Sequence, residues 1–451
     1  MNSEALYKVV QERDARFAGR FFLGVRTTQI YCRPGCPAKI PRRENVQFFP
    51  SAAAAQNAGF RACMRCRPDA APGSAAQAGT SAVLARALRL LEESGEAAGL
   101  ADRLGISDRH LRRLFQQHLG AAPAEILRTR RLQIARQLLD TSDLPMIDVA
   151  QAAGFQSVRR FNDAMRTAFG RTPTELRATG GLSAGMMLKL PFRPPLDFAA
   201  LLGFLAPRAL PGVEEVRDGV WFRTLREGIL EVRCKGNALE VRLPALLAPR
   251  AVQIAARVSH VFDLRADPLA IRQHLAKDAA LKPFLKPGLR VPGAWDPFEM
   301  AVRSILGQQI TVVAARRLAE RLVQEYGESL PHGRLFPTAQ KLADIELTGM
   351  PASRAKAVSG LAKAVASGQV RLDGTQGAEA LLELPGIGDW TAQLIALRAL
   401  GEPDAFPAAD LGLCKALGLT PRELTAHAEQ WRPWRGTAAA ALWLYPAGDK
   451  P

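Results

Sequence analysis

Two groups of residues in this 451-residue chain have the types and spacing to do chemistry. The first is Cys32-Arg33-Pro34-Gly35-Cys36 followed by Cys63-Met64-Arg65-Cys66. A C-x3-C and a C-x2-C let two short loops each supply two sulfurs to one tetrahedral zinc ion. Such an ion can simply staple a small domain. Four thiolates on one zinc also carry a net double negative charge, which makes the sulfurs electron-rich and nucleophilic. Arg26, Arg33, Lys39, Arg42, Arg43, Arg61, Arg65 and Arg67 crowd them, with little acid beyond Glu44. These cations would bring a nucleic-acid backbone close to the sulfurs.

The second group runs from Leu384 to Asp410. Leu384-Pro385-Gly386-Ile387-Gly388 lies between two helix-like segments, and its glycines permit a tight turn and a close backbone approach. Free amide N–H groups at the start of the next helix favour an anion such as a phosphate. Phe406-Pro407-Ala408-Ala409-Asp410 then presents one carboxylate before a short apolar helix. A phosphate grip followed by one carboxylate suits an enzyme that holds a nucleic-acid backbone and works on a sugar–base bond. Asp410 is equally placed to cap that helix.

These groups need elements to position them, and the chain divides accordingly. Residues 1–75 read as a small zinc domain, with a helical start at Leu6, Val9 and Val10 and strand-like runs at Phe21–Val25 and Gln29–Tyr31. Residues 71–80 are small and polar and read as a linker. Residues 81–179 are helical with an internal repeat. Each copy has an alanine-bearing helix, a glycine turn, a serine cap (Ser107, Ser157), a second helix and a Gly-x-x-Pro-x-Glu ending. This is the pattern of two helix-turn-helix units, whose second helices enter a major groove. Leu111, Leu114, Phe115 and Phe161 are expected in the core; Arg109, His110, Arg112, Arg159, Arg160 and Asn162 are candidates to face DNA. A second break falls at Gly180–Gly185. Residues 186–262 alternate in places, as in Leu239–Leu243, the period of half-buried antiparallel strands. Residues 263–451 read as helical to Tyr445. Cys234 and Cys414 lack partner spacing and read as ordinary buried thiols.

Composition bounds the rest. Apolar content of 48% supports buried cores, and a formal net charge of +17 calls for a polyanionic partner. Six cysteines are too few for a disulfide scaffold in so long a chain. No apolar stretch approaches the roughly eighteen residues of a membrane span, and no signal-peptide core is visible. A cytoplasmic protein of the bacterial nucleoid, without membrane contact, is expected.

Three resemblances sharpen these readings. Val25–Pro34 and Gly59–Cys66 resemble the N-terminal zinc domain of Ada-type alkylation-response regulators. That resemblance implies one Zn2+ held by Cys32, Cys36, Cys63 and Cys66, with Cys32 irreversibly taking a methyl group from a DNA methylphosphotriester. Charge counting then predicts tighter DNA binding once Cys32 is a neutral thioether. The helical repeat resembles AraC/XylS-type activators, which implies promoter DNA and RNA polymerase as partners. The stretch from Pro191 onward resembles AlkA-type 3-methyladenine glycosylases of the helix–hairpin–helix superfamily. The fold class expected is multidomain, mainly α with α+β parts: a zinc domain, tandem helix-turn-helix, a small antiparallel α+β domain (186–262) and an all-α glycosylase domain (263–451).

The glycosylase resemblance implies base flipping, with Asp410 as the catalytic carboxylate and Phe204, Trp390 and Trp443 lining the pocket. Gly386 and Gly388 would hold the backbone. Trp390 stands where strand-cleaving relatives carry a lysine, so a monofunctional hydrolase is implied. Gln309 stands where the family has a leucine wedge, and Leu394 and Leu411 replace tyrosines. The string Pro-Cys-His-Arg of the second Ada methyltransferase does not occur, so repair of O6-alkylguanine is not predicted. The alternative reading is a transcription regulator whose glycosylase-like part is a catalytically weak DNA-binding appendage.

Overall fold

A computed structural model of the chain describes residues 3–14, 17, 20–63, 66, 68, 82–177, 186–374, 376 and 378–445. Arg65, Arg67, the expected linker 71–80 and the break at Gly180–Gly185 lie outside the described residues. The chain forms two compact units, the first made of Met1–Pro194, Cys234–Ser259 and Leu264–Asp267, the second of Pro195–Arg233, His260–Asp263 and Pro268–Pro451.

In the first unit a four-stranded sheet in the order Val46–Phe49, Phe22–Val25, Ile30–Cys32, Arg61–Ala62 carries Cys32 at the end of one strand and Cys63 directly after another. The first three strands are antiparallel, while Arg61–Ala62 pairs parallel with Ile30–Cys32. The parallel pairing carries Cys63 alongside the first cysteine strand, its N–H donating to the Tyr31 carbonyl at 3.0 Å. Val9 and Val10 of the helix Ser3–Gln11 join Phe21, Leu23, Cys32 and Cys63 in one apolar cluster.

The helical repeat has a direct physical basis. Ser107 Oγ accepts from His110 N–H and Ser157 Oγ from Arg160 N–H, starting the helices Asp108–Leu119 and Val158–Phe169. Each helix ends at a left-handed glycine, Gly120 or Gly170, as capped helices commonly do. Leu111, Phe115 and Leu119 are buried at four-residue intervals, and Phe161, Met165 and Phe169 repeat the spacing. Leu114, expected in the core, is only half-buried, because it lies one position off that stripe. The helix Pro123–Thr141 joins the two copies, and Met186–Pro191 pairs antiparallel with Ala238–Leu243.

The second unit opens with the helix Phe198–Leu205 and an antiparallel meander of Glu214–Arg217, Val220–Leu225 and Gly228–Lys235. Helices follow, among them Pro297–Leu306, Val312–Tyr326, Ala352–Ala366, Asp389–Arg398, Leu411–Leu417 and Arg435–Leu444. The region expected to be wholly helical from Asp263 contains a short hairpin, Glu328–Leu330 with Gly333–Leu335. Pro331-His332-Gly333 turns the chain there, and a helix cannot pass through it. Cys234, expected to be buried, is exposed near the end of its strand. Cys414 is half-buried, with its Sγ 3.4 Å from the Ala408 carbonyl.

Candidate functional site

In the second unit Leu384 and Ile387 are buried anchors of the hairpin. Gly386 between them has φ +86°, and a Cβ there would lie 2.7 Å from the Ala357 Cβ, so no other residue fits without movement. Gly388 is extended, faces open space and precedes the helix Asp389–Arg398 without a side-chain cap. The first-turn N–H groups of that helix therefore have no competing side-chain acceptor at the cap. The amide of Gln308 donates to the Gly386 carbonyl (2.8 Å) and to Thr391 Oγ1 (2.9 Å), and the Gln308 carbonyl accepts from Arg354 (2.6 Å). Gln308 ties the hairpin to the turn at 307–311. The next residue, Gln309, is exposed and left-handed, φ +57°.

Asp410 caps the helix Leu411–Leu417 while facing a cavity of about 210 Å³. Its Oδ1 accepts from Gly412 N–H (2.9 Å), Leu413 N–H (3.2 Å) and Trp443 Nε1 (3.2 Å); its Oδ2 accepts from Trp390 Nε1 (3.1 Å). Capping and placement in the pocket are thus properties of one carboxylate. Trp390 and Trp443 are half-buried, hold the carboxylate by their indole N–H groups and also line the cavity. Phe204, buried on the helix Phe198–Leu205, lies 6.2 Å from the Trp443 ring. All four residues expected in the pocket meet there.

The same cavity is lined by four arginines that the sequence did not single out, Arg208, Arg303, Arg316 and Arg398. The Arg208 guanidinium lies 3.7 Å from the Phe204 ring centre and Arg398 lies 5.0 Å from it. Burial, then the neighbouring Arg303, pulls Arg208 down to about 10 against the opposing pull of Asp410. Burial, then Arg208 and Arg303, brings Arg398 to about 9. Both are cations at neutral pH. Arg303 is held by Glu214 (2.8 Å) and Glu299 (2.9 Å), and Glu299 also grips Arg223 at 2.5 Å. That buried cluster of two acids and two arginines fixes one wall of the cavity. Leu394 lines the cavity, whereas Leu411 is 70% exposed beside Asp410.

In the first unit the ligand sulfurs of Cys32, Cys36, Cys63 and Cys66 all lie within 4.8 Å of one another. Zinc–sulfur bonds of about 2.3 Å in a tetrahedron put sulfurs roughly 3.8 Å apart, so the cluster fits one zinc ion. Contacts with Cys36 and Cys66, with burial, push the Cys32 thiol up, while the Cys32 and Cys66 contacts pull Cys36 down. One ionised sulfur suppresses its neighbours, and a divalent cation removes that conflict. Among the expected basic residues, Arg43 is paired with Glu4 (3.0 Å) and Arg42 lies 3.8 Å from Glu44. Arg26 and Arg61 are exposed. Arg109 and Arg112 on the first capped helix, and Arg159 and Arg160 on the second, are all exposed near helix starts. His110 and Asn162 are half-buried. No described helix is long and apolar enough to cross a membrane.

Comparison with known proteins adds four family matches in chain order: the metal binding domain of Ada (residues 5–69), a helix-turn-helix domain (100–179), the AlkA N-terminal domain (187–296) and the HhH-GPD superfamily base excision DNA repair protein (302–428). The "Probable bifunctional transcriptional activator/DNA repair enzyme AlkA" of Mycobacterium tuberculosis is 43% identical over 474 residues, covering 98% of this chain and 96% of that one. "DNA-3-methyladenine glycosylase 2" of Escherichia coli is 37% identical over 59% of this chain and 99% of its own length. "Regulatory protein ada" of Salmonella typhimurium is 37% identical over 38% of this chain and 48% of its own.

Proposed function

The chain belongs to the family of bifunctional AlkA-type transcriptional activators and DNA repair enzymes, and on that premise we propose two activities with assigned residues. One is monofunctional hydrolysis of the N-glycosidic bond of alkylated purines of the 3-methyladenine type in duplex DNA. The observation that carries it is Asp410, fixed by two indole and two backbone N–H groups at a cavity of about 210 Å³.

A stacked base is out of reach, so the nucleotide is flipped into this cavity. Gly386 and Gly388 let the backbone approach closely, and the free N–H groups after Gly388 hold a phosphate. Exposed Gln309 enters the gap left in the stack. N-alkylation weakens the glycosidic bond and makes the base cationic, which suits the ring faces of Trp390 and Trp443. Asp410 stabilises the positive charge that develops on the sugar and orients or deprotonates the water attacking C1′. Its four N–H partners hold it aimed at the cavity. Trp390 occupies the place just after the hairpin where a strand-cleaving enzyme would carry its sugar-attacking lysine, so the strand is left intact.

The second activity is methyl acceptance at Cys32. Its Sγ attacks the methyl carbon of a DNA methylphosphotriester; the S–C bond forms, the C–O bond breaks and the electron pair leaves on a phosphodiester oxygen. Zinc bound by the four cysteines supplies the positive charge that keeps them ionised together. The transfer removes one negative charge from the protein beside the phosphates, which tightens DNA binding. Arg109, Arg112, Arg159 and Arg160 then read promoter DNA from the two helix-turn-helix units, and the bound protein recruits RNA polymerase at the bacterial nucleoid.

Incubating the wild type with alkylated duplex DNA and quantifying free bases tests the first activity. Released 3-methyladenine with intact strands is the expected result. No release by a folded protein would favour a regulator whose glycosylase-like part only binds DNA.

A further inference from the structure

Beside the methyl acceptor lies a cleft of about 520 Å³ whose two sides come from different parts of the first unit. Cys32, Arg33, Lys39 and Arg61 line it from the zinc-site side; Gly170 and Arg171, directly after the second recognition helix Val158–Phe169, line it from the other. The two sides touch closely. A Cβ on Gly170 would lie 2.4 Å from Arg61 Nη1, so the end of the helix lies close against that guanidinium. Apart from the zinc-site cysteines, the charged side chains that line the cleft are all cations. Among the described residues Arg33, Lys39 and Arg61 make no ion pair with a carboxylate. The acid nearest Arg171 in sequence, Glu175, accepts from Thr172 N–H at 2.7 Å, and its carboxyl is held below the ordinary value by that capping contact first and by the charges of Arg171 and Arg166 after it.

A methylphosphotriester poses a particular recognition problem. The esterified phosphate has lost its charge, so electrostatic attraction must act on the ionised phosphates flanking it. A cleft lined by cations and opening on Cys32 answers that need, and Phe169, Gly170 and Arg171 of its wall belong to the helix-turn-helix part.

We propose that Arg171 is a positioning residue for methyl transfer: it holds a phosphate flanking the methylated one, so that the second helix-turn-helix unit completes the substrate site of Cys32. The inference rests on the methyl-acceptor reading above. In the transfer itself the Cys32 Sγ–CH3 bond forms as the CH3–O bond breaks, and the freed electron pair makes the phosphotriester an anionic diester. That new anion arises in the cleft that Arg171 lines. Transfer therefore strengthens the same arginine's hold on DNA and links damage sensing to engagement of the second recognition helix.

The test uses the full-length zinc-loaded protein and a duplex bearing one methylphosphotriester. Transfer to Cys32 is followed under single-turnover conditions for the wild type, Arg171→Gln and Arg171→Lys. Losing one charge-assisted contact should slow Arg171→Gln roughly tenfold at subsaturating protein, with Arg171→Lys retaining most of the rate. The dependence of log rate on log salt should become shallower by about 0.9. Methylation of Cys32 by methyl iodide without DNA should proceed at the wild-type rate, since a small electrophile needs no backbone contact. Unchanged transfer and salt slope in Arg171→Gln would overturn the proposal. So would an equal slowing with DNA and with methyl iodide, which would place the effect on the thiolate. Wild-type protein that takes no methyl from DNA would instead overturn the methyl-acceptor reading, and the wild-type measurement alone distinguishes that case.

Discussion

Asp410 serves as helix cap and as pocket carboxylate, and two substitutions separate the roles. Oδ1 carries both backbone cap bonds and the Trp443 N–H, whereas Oδ2 carries only the Trp390 N–H. In Asp410→Asn the amide oxygen takes the Oδ1 position and keeps the cap, since Asn and Asp cap equally well. Its NH2 then faces the Trp390 N–H donor to donor, at a cost of about 1 kcal/mol in this half-exposed setting. Asp410→Ala loses the cap as well, about 1 kcal/mol more. The alanine protein should melt about 2–4 °C below the asparagine one. Catalysis should follow a different order. A unit charge about 4 Å from the developing sugar cation, at an effective dielectric near 20, contributes about 4 kcal/mol. Both variants should therefore release 3-methyladenine about a thousandfold more slowly than wild type in single-turnover assays. If Asp410→Asn kept a rate within tenfold of wild type while only the alanine variant failed, the carboxylate would be a cap alone.

Other predictions follow from neighbouring features. Glu299→Gln leaves Arg223 and Arg303 short of one buried counter-charge and should destabilise the protein by about 3–5 kcal/mol, read as a lower denaturant midpoint. Burial raises the Glu299 carboxyl, but Arg223 and Arg303 outweigh it and hold it below the ordinary value. Its stabilisation is thus complete above the unfolded-state value and lost as pH falls through the depressed folded one; acid titration of the melting temperature should show this, and Glu299→Gln should flatten it. Arg208→Gln removes a cation from the pocket and uncovers the Phe204 face, so release of cationic 7-methylguanine should rise relative to neutral hypoxanthine. An unchanged ratio would mean that Arg208 does not meet the base. Chelating zinc should unfold the four-cysteine region, detected as rapid thiol labelling of Cys32, Cys36, Cys63 and Cys66, while 3-methyladenine release persists.

Most of the site was legible because its signals are local. Cysteine spacing names a zinc site without tertiary information, and the sheet register adds only how Cys63 reaches Tyr31 and Cys32. The hairpin glycines and the caps Ser107, Ser157 and Asp410 act within a few residues, so sequence alone exposes them. What stayed hidden is assembled from distant segments. Glu214, Arg223, Glu299 and Arg303 look like scattered surface charges, and only the four-residue spacing of Glu299 and Arg303 hints at a pair. Arg208 and Arg398 are 190 positions apart, yet both approach the Phe204 ring. Gln308 reads like its neighbour Gln309, but a backbone turn sends one to the hairpin and the other to solvent. Cys234 misled for a related reason: its apolar character suggests burial, and its place near a strand end exposes it.

The most direct test of two chemistries on one chain is a single reaction read twice. Wild type, Cys32→Ala and Asp410→Asn are each mixed with one duplex containing 3-methyladenine and a methylphosphotriester, and both free base and protein-bound methyl are quantified. The wild type should yield both products, Cys32→Ala only the free base, and Asp410→Asn only the methylated protein. Loss of both products in either variant, or a folded wild type that yields neither, would contradict the assignment of Cys32 and Asp410 to separate reactions.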